Sequence, residues 1–298
     1  MKVLILGASG FIGFPVAQAF VRAGHIVYGI TRSETKARQL AAEEIIPIVG
    51  DGNDRSTWLP LVATLDVLVD ATGGTDVWTI GPENLNATVD AVKQYRPASA
   101  PKLGYIYTSG IWVHGNNRKD ILTDTTPITT PVEIVKWRPE LEQKVVTNPF
   151  VNGVVIRPAL LYGHSGSLFA SLFQSAFEGY VKWFGPAGGR LSLIHRDDLA
   201  NIFVLAAEKS SIIRGQILDA ANDFTESTDD ILQKLVEVSG ASGYTYIEPT
   251  NLFETATVTS AIIRPYLGRA LLGWQPRKAG VVDHLEIYYN AWKASARL

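Results

Sequence analysis

Thirteen residues at the start of the chain commit it to a strand, a tight turn and a helix. Lys2-Val3-Leu4-Ile5-Leu6 is an apolar run, and Gly7-Ala8-Ser9-Gly10-Phe11-Ile12-Gly13 follows directly. A short continuous apolar run reads as a strand covered on both faces. Gly7 allows the backbone to turn sharply, and Gly10 removes a side chain where a ligand has to come close. Gly13 lets the next helix pack against the strand. That helix, expected over 11–23 and stopped at Gly24, aims its free N–H groups and positive dipole end at the turn. The arrangement suits a pyrophosphate, with Ser9, Phe11 and Ile12 flanking it between the glycines. The spacing Gly-x-x-Gly-x-x-Gly is one residue longer in its first gap than the common dinucleotide fingerprint. A plain strand–turn–helix corner shows the same glycines; the strand before and the amphipathic helix after favour the phosphate reading.

The same alternation continues through the first half. Strands are expected over 2–6, 26–30, 45–49, 66–70, 102–107 and 152–156, with helices over 11–23, 34–43, 55–63, 80–95 and 134–147. Such a pattern predicts a parallel sheet joined by right-handed crossovers. Beyond Gly163 the pattern is less regular: an aromatic, glycine-rich stretch to Gly189, a strand and helix over 190–208, a strand over 216–219, a helix over 226–239 and a mostly helical tail from Ala261. There is no internal repeat. The expected fold class is α/β, a Rossmann-like doubly wound parallel sheet with a smaller, mostly helical C-terminal substrate lobe. Residues 1–163 with 190–222 would form the dinucleotide-binding domain, and 164–189 with 223–298 the lobe.

Composition removes several alternatives. Hydrophobic residues make up 46% and charged residues 19% of the 298, as in a well-packed globular chain. A net charge of −2 supplies no basic field for nucleic acid or an anionic membrane, so neither is expected as a partner. With no cysteine there is no disulfide, thiolate metal site or cysteine nucleophile. No histidine or carboxylate spacing suggests a metal site. The opening apolar run is too short for a signal or membrane-spanning segment, so a cytoplasmic location is the expectation. A homodimer is left open.

Three strand ends bear on a cofactor. Thr31-Arg32-Ser33 follows the second strand, beside the adenosine ribose in a dinucleotide fold. An acidic residue there would accept from a free 2′-hydroxyl. Arg32 and Ser33, with Lys36 one turn on, instead suit a 2′-phosphate, so NADP(H) is expected over NAD(H). The plainer reading is a solvated arginine at a helix start with Ser33 as its N-cap. Asp51, after the third strand, is a candidate for the adenine amino group, although Asp51-Gly52-Asn53-Asp54 is also good turn chemistry. Ala71-Thr72-Gly73, after the fourth strand, leaves room for a ribose.

Together these segments resemble the extended short-chain dehydrogenase/reductase family, also called the NAD-dependent epimerase/dehydratase family. Gly7–Gly13 matches its fingerprint, and Tyr105–Gly115 resembles its fifth strand with a serine-bearing loop. Arg157-Pro158-Ala159-Leu160-Leu161-Tyr162-Gly163 resembles the segment that closes over the nicotinamide, which places Pro158 beside the cofactor. Leu193–Ala200 and Leu272–Pro276 resemble later junctions. The resemblance implies a nicotinamide cofactor. It also implies a Tyr-x-x-x-Lys pair on the helix after the fifth strand, and this chain departs from it. Aligned by its flanks, Trp137 stands at the tyrosine position and Leu141 at the lysine position, and Gly110 at the usual serine position.

Tryptophan does not exchange a proton near neutral pH, so other groups are needed. Ser109 and Thr108 can polarise a carbonyl, though a strand-end turn would use them on its own backbone. Tyr162 can reach a substrate oxygen or form an aromatic wall. His114, His164 and the His195-Arg196-Asp197-Asp198 run also admit bland readings, Asp197 or Asp198 as a helix cap among them. Glu140 and Glu142 read as exposed helix carboxylates. Trp78, Trp112, Trp137, Phe169, Phe173, Phe177, Trp183 and Phe184 are candidates for an apolar pocket. The resulting expectation is an NADP(H)-dependent oxidoreductase. Its substrate would be a hydrophobic carbonyl, imine or activated alkene, with Ser109, Thr108 and Tyr162 as catalytic candidates. A non-catalytic NADP(H) sensor and a cyclase or isomerase that retains the cofactor site are the alternatives.

Overall fold

The computed structural model describes residues 1–50, 54–164 and 168–296. The opening strand β1 (Lys2–Leu6) is followed by α1 (Gly13–Arg22), β2 (Ile26–Thr31), α2 (Glu34–Ala42) and β3 (Ile46–Val49). The chain then crosses to β4 (Val67–Asp70), α3 (Val77–Tyr95), β5 (Gly104–Thr108), β6 (Asn117–Leu122), α4 (Arg138–Val146) and β7 (Asn152–Pro158). After these come β8 (Leu160–Tyr162), α5 (Ala170–Phe177), β9 (Val181–Phe184), β10 (Arg190–His195), α6 (Arg196–Glu208) and β11 (Ile217–Ala220). The last elements are β12 (Thr225–Ser227), α7 (Thr228–Ser239), β13 (Tyr244–Ile247), α8 (Leu252–Thr257), β14 (Ala261–Ile263) and α9 (Leu285–Ala296).

Seven strands form one sheet in the order β11-β7-β5-β4-β1-β2-β3, every pairing parallel. The apolar runs alternate between two layers, because successive side chains leave a strand on opposite faces. Val3, Ile5, Val69, Ile106 and Ile156 join Phe20 of α1 and Phe203 of α6 in one cluster. Leu4, Leu6, Leu68 and Val155 join Leu85 of α3 and Val145 of α4 in the other. Burial on both faces is why most strand positions are apolar; the polar ones include Asp70, Arg157 and Asp219 towards the carboxyl ends.

Several expectations change. The helix expected over 55–63 is two short 3-10 turns, Arg55–Thr57 and Leu59–Ala63. Pro60 in the second has no N–H to give to an α-helical ladder. The helix expected over 134–147 is a 3-10 turn, Glu133–Val135, and then α4, with Pro139 in its first turn. The tail does not begin as helix: β14 pairs with β6, and helix returns in a π-type turn, Gly268–Leu272, and in α9. β10 joins β8 and β12 in a separate sheet, outside the main one. Among the described residues no helix is long and apolar enough to cross a membrane.

Candidate active site

The sheet order reverses beside β1: the chain fills β1-β2-β3 in one direction and β4-β5-β7-β11 in the other. The crevice at the carboxyl ends of β1 and β4 is where open α/β sheets bind ligands. Gly7 lies there at φ +76°, and a Cβ on it would sit 2.5 Å from the Ala71 carbonyl oxygen. A Cβ on Gly13 would sit 2.1 Å from the Gly7 oxygen. The first two turns of backbone are thus pressed together as only glycine allows. Gly10 closes the loop by donating its N–H to Gly7 at 2.9 Å. The N–H groups of Phe11 and Ile12 meet no acceptor among the described residues. Across the crevice, buried Asp70 accepts from the Thr72 N–H, from Asn84 and from the Tyr105 hydroxyl at 3.0–3.1 Å. That anchor turns Ala71–Gly73 out of the sheet, and open space surrounds Gly73. Close backbone, free donors and small residues fit a dinucleotide.

At the end of β2, the Thr31 hydroxyl donates to Ser9 at 3.4 Å, which ties the loop to the next strand. Ser33 caps α2, its Oγ accepting from the Lys36 N–H. The capping role is compatible with a ligand role, because the Oγ proton remains. Arg32 and Lys36 are exposed beside it. Asp51 lies outside the described residues.

A cleft of about 160 Å³ opens next to the glycine loop. Ile12, Ile111, Trp112, Val135, Pro158, Ala159, Leu160, Leu161 and Leu168 wall it, with Gly110, Ser109 and Arg138. Beneath it runs a buried polar chain. Ser109 Oγ donates to Glu142 Oε1 at 2.5 Å, and Glu142 receives Arg157 at both oxygens, 2.9 Å from Nε and 2.6 Å from Nη2. Arg157 Nη1 lies 3.6 Å from Asp219, whose other oxygen is 2.9 Å from His114 Nε2. The Asp219 N–H donates to Asp124, whose carboxyl is held above the usual range by burial and then by the Asp219 charge. Ser109 has therefore committed its proton to a carboxylate and presents lone pairs to the cleft. Thr108 Oγ1 is buried without a hydrogen-bond partner among the described residues, while the Thr108 carbonyl accepts from Arg138.

The other candidates are placed elsewhere. Tyr162 gives its hydroxyl proton to the Ala279 carbonyl at 2.8 Å and accepts from Asn222 at 3.1 Å. Its ring packs edge-on to His195 and Tyr288, and burial pushes its pKa up. It is packing, not cleft. His114 is spent on Asp219. His195, rather than Asp197 or Asp198, caps α6 by accepting from the Asp197 N–H at 3.1 Å. Burial pushes His195 down to about 4. Ligand atoms of His164, His195 and Asp197 lie within 4.8 Å of one another, a grouping their spacing did not announce. Lys278 is 3.3 Å from Asp197, and the capping bond spends His195 Nδ1, so ion pairs already occupy the group. Of the aromatic candidates Trp112 alone lines the cleft; Phe169, Phe173 and Trp183 are core, and Trp78 and Phe177 are exposed.

Trp137, at the tyrosine position of the flank alignment, stands just before α4 as its N-cap residue. Leu141 is 2% exposed and lies in the core, against the space over Gly81. Arg138 lines the cleft, and Glu142, four residues on, is buried beneath it against Ser109. The sequence pointed past Arg138, and Glu142, expected as an exposed helix carboxylate, is 1% exposed because Ser109 and Arg157 enclose it. The signal for Glu142 was the Arg157 that the sheet brings opposite it; for Arg138 it was only its distance of one turn from Glu142.

A model of the NAD dependent epimerase/dehydratase family matches residues 3–221. The chain is 22% identical over 226 residues to a decarboxylating sterol-4-alpha-carboxylate 3-dehydrogenase of Dictyostelium discoideum, covering 70% of this chain and 68% of that one. It is 26% identical over 231 residues to a 3-beta-hydroxysteroid dehydrogenase of Mycolicibacterium neoaurum, covering 70% and 61%. Its fold superposes on a dTDP-glucose 4,6-dehydratase of Bacillus anthracis in complex with NAD, with a TM-score of 0.83 at 13% identity, covering 100% and 98% of the two chains.

Proposed function

The chain belongs to the NAD dependent epimerase/dehydratase family, and from that premise we propose that it is an NADP(H)-dependent oxidoreductase acting on a hydrophobic small molecule through a non-standard active site. The acceptor would be a carbonyl, imine or activated alkene. One observation carries the reading: an apolar cleft begins at Ile12 of the glycine loop and ends on Ser109 and Pro158. Hydrophobic substrates are also named for the sterol and hydroxysteroid relatives.

In this reading the open N–H groups of Phe11 and Ile12 hold the diphosphate. Arg32, Ser33 and Lys36 hold the 2′-phosphate. Ala71–Gly73 make room for the ribose, and Pro158 closes over the nicotinamide end. A bound nicotinamide exchanges a hydride with the substrate. Arg138 sets a fixed positive charge on the cleft wall, and Thr108 has a buried hydroxyl with no partner among the described residues next to Ser109. Ser109 accepts rather than donates while Glu142 holds its proton. No histidine, carboxylate, lysine or tyrosine is among the described residues that line the cleft. The proton that completes a carbonyl reduction therefore comes from water or the substrate. An iminium acceptor needs none.

The test is calorimetry with NADPH and NADH on the wild type and on Arg32→Ala. A charge-assisted phosphate contact is worth ~1.5–3 kcal/mol, so the variant should bind NADPH about 10- to 100-fold more weakly and NADH unchanged. Equal affinity for the two coenzymes in both proteins removes the NADP(H) assignment. No binding of either removes the whole reading. A second reading, a non-catalytic NADP(H)-binding protein, is favoured by the cleft's lack of a titratable side chain. Tight binding without turnover on carbonyl and imine panels is its mark.

A further inference from the structure

We propose that the substrate carries a carboxylate on its apolar frame, and that Arg138 is the residue that reads it. The proposal rests on the cleft being the substrate site, as above. Arg138 stands at the first position of α4 and lines the cleft. Its Nη1 donates to the Tyr107 hydroxyl and to the Thr108 carbonyl, both at 3.0 Å. Both acceptors are neutral. The guanidinium lies over the Trp137 ring, 4.8 Å from its centroid, and these contacts fix its plane. Its Nε and Nη2 meet no acceptor among the described residues, and no described carboxylate pairs with it.

That free edge is the one that matches a carboxylate. Nε and Nη2 project two parallel N–H groups at the spacing of two carboxylate oxygens. This chain uses the same edge in its own interior: Arg157 grips Glu142 with Nε at 2.9 Å and Nη2 at 2.6 Å. Arg157 is satisfied from within, while Arg138 is not. The remaining walls are apolar apart from Ser109 and Gly110, so the charge has no counter-ion in the cleft. A guanidinium stays charged at any working pH, and half-buried Arg138 keeps its free edge open to the cleft. An acidic group on the ligand supplies the missing partner, while the apolar walls take the frame.

The experiment uses the full chain and a matched probe pair, 1-naphthylacetate and its neutral amide, by calorimetry with and without saturating NADPH. Wild type, Arg138→Gln and Arg138→Lys are compared, each checked for an unchanged thermal melt. The wild type should bind the acid about tenfold or more tightly than the amide. Arg138→Gln should abolish that ratio and leave amide and NADPH affinities within about threefold, and Arg138→Lys should retain part of it because it keeps the charge and loses the fork. Equal binding of acid and amide by the wild type overturns the proposal, as does binding of neither probe. It is also overturned if Arg138→Gln weakens NADPH about tenfold and leaves the acid-to-amide ratio intact, which would make Arg138 a cofactor residue. Acid preference without any NADPH binding sustains the carboxylate site and sinks the oxidoreductase reading, so the two failures are separable.

Discussion

Replacing Glu142 with glutamine removes one charge from the buried chain under the cleft while keeping its shape. Glu142 is 1% exposed and receives three hydrogen bonds, one from Ser109 and two from Arg157. Breaking a buried ion pair by neutralising one partner costs ~3–5 kcal/mol, because the other charge stays buried. Glutamine can still accept at one oxygen, and Arg157 keeps Asp219 at 3.6 Å, so the lower end applies, ~3 kcal/mol. In a chain of 298 residues that lowers the melting temperature by about 5 °C. Urea unfolding followed by circular dichroism and by tryptophan fluorescence measures it. Arg157 also faces the fully buried Asp219, so the double variant Glu142→Leu with Arg157→Met strands that carboxylate and should lose at least as much as Glu142→Gln alone. A loss under ~1 kcal/mol in the single variant, or a double variant as stable as the wild type, would refute the reasoning.

Gly7 and Gly24 both sit at positive φ, +76° and +82°, but a Cβ meets the Ala71 oxygen at 2.5 Å in the first and nothing within 4 Å in the second. Gly24→Ala should cost only the left-handed penalty, ~1–2 kcal/mol, and Gly7→Ala clearly more, with loss of coenzyme affinity, by urea unfolding and calorimetry. Thr108→Val replaces a hydroxyl that has no partner, so thermal melts of the free protein should be unchanged or raised; a drop of several degrees would mean the hydroxyl is satisfied. His195 titrates at about 4 in the fold against 6.5 when unfolded, so its stabilising contribution is complete above 6.5 and fades as pH falls towards 4. Urea midpoints between pH 7 and 4 should fall, and His195→Gln should flatten that fall; buried Asp198 and Glu226, raised by burial, oppose it at the acid end.

The parallel sheet and the glycine loop were legible because both are local. A strand buried on two faces must be apolar throughout, as Val3–Leu6 is, and a backbone pressed to within contact of its neighbour must be glycine, as at Gly7 and Gly13. Ser33 as cap of α2 was legible for the same reason. The cleft chemistry was not. Each helix residue turns about 100°, so adjacent positions take different surroundings, and only the packed helix shows which of them meets the cleft. Arg138 lines the cleft and Glu142 lies buried beneath it, whereas Leu141 between them is core.

By itself the sequence determined where the backbone turns, which runs are buried and which strand end offers donors to a phosphate. Only the tertiary structure decided what each polar side chain is spent on. Ser109 meets Glu142 across 33 positions, Tyr162 meets Asn222 across 60 and His114 meets Asp219 across 105. A proton shared over such separations depends on how the sheet and its helices bring distant segments together, and no local pattern of residues encodes that distance.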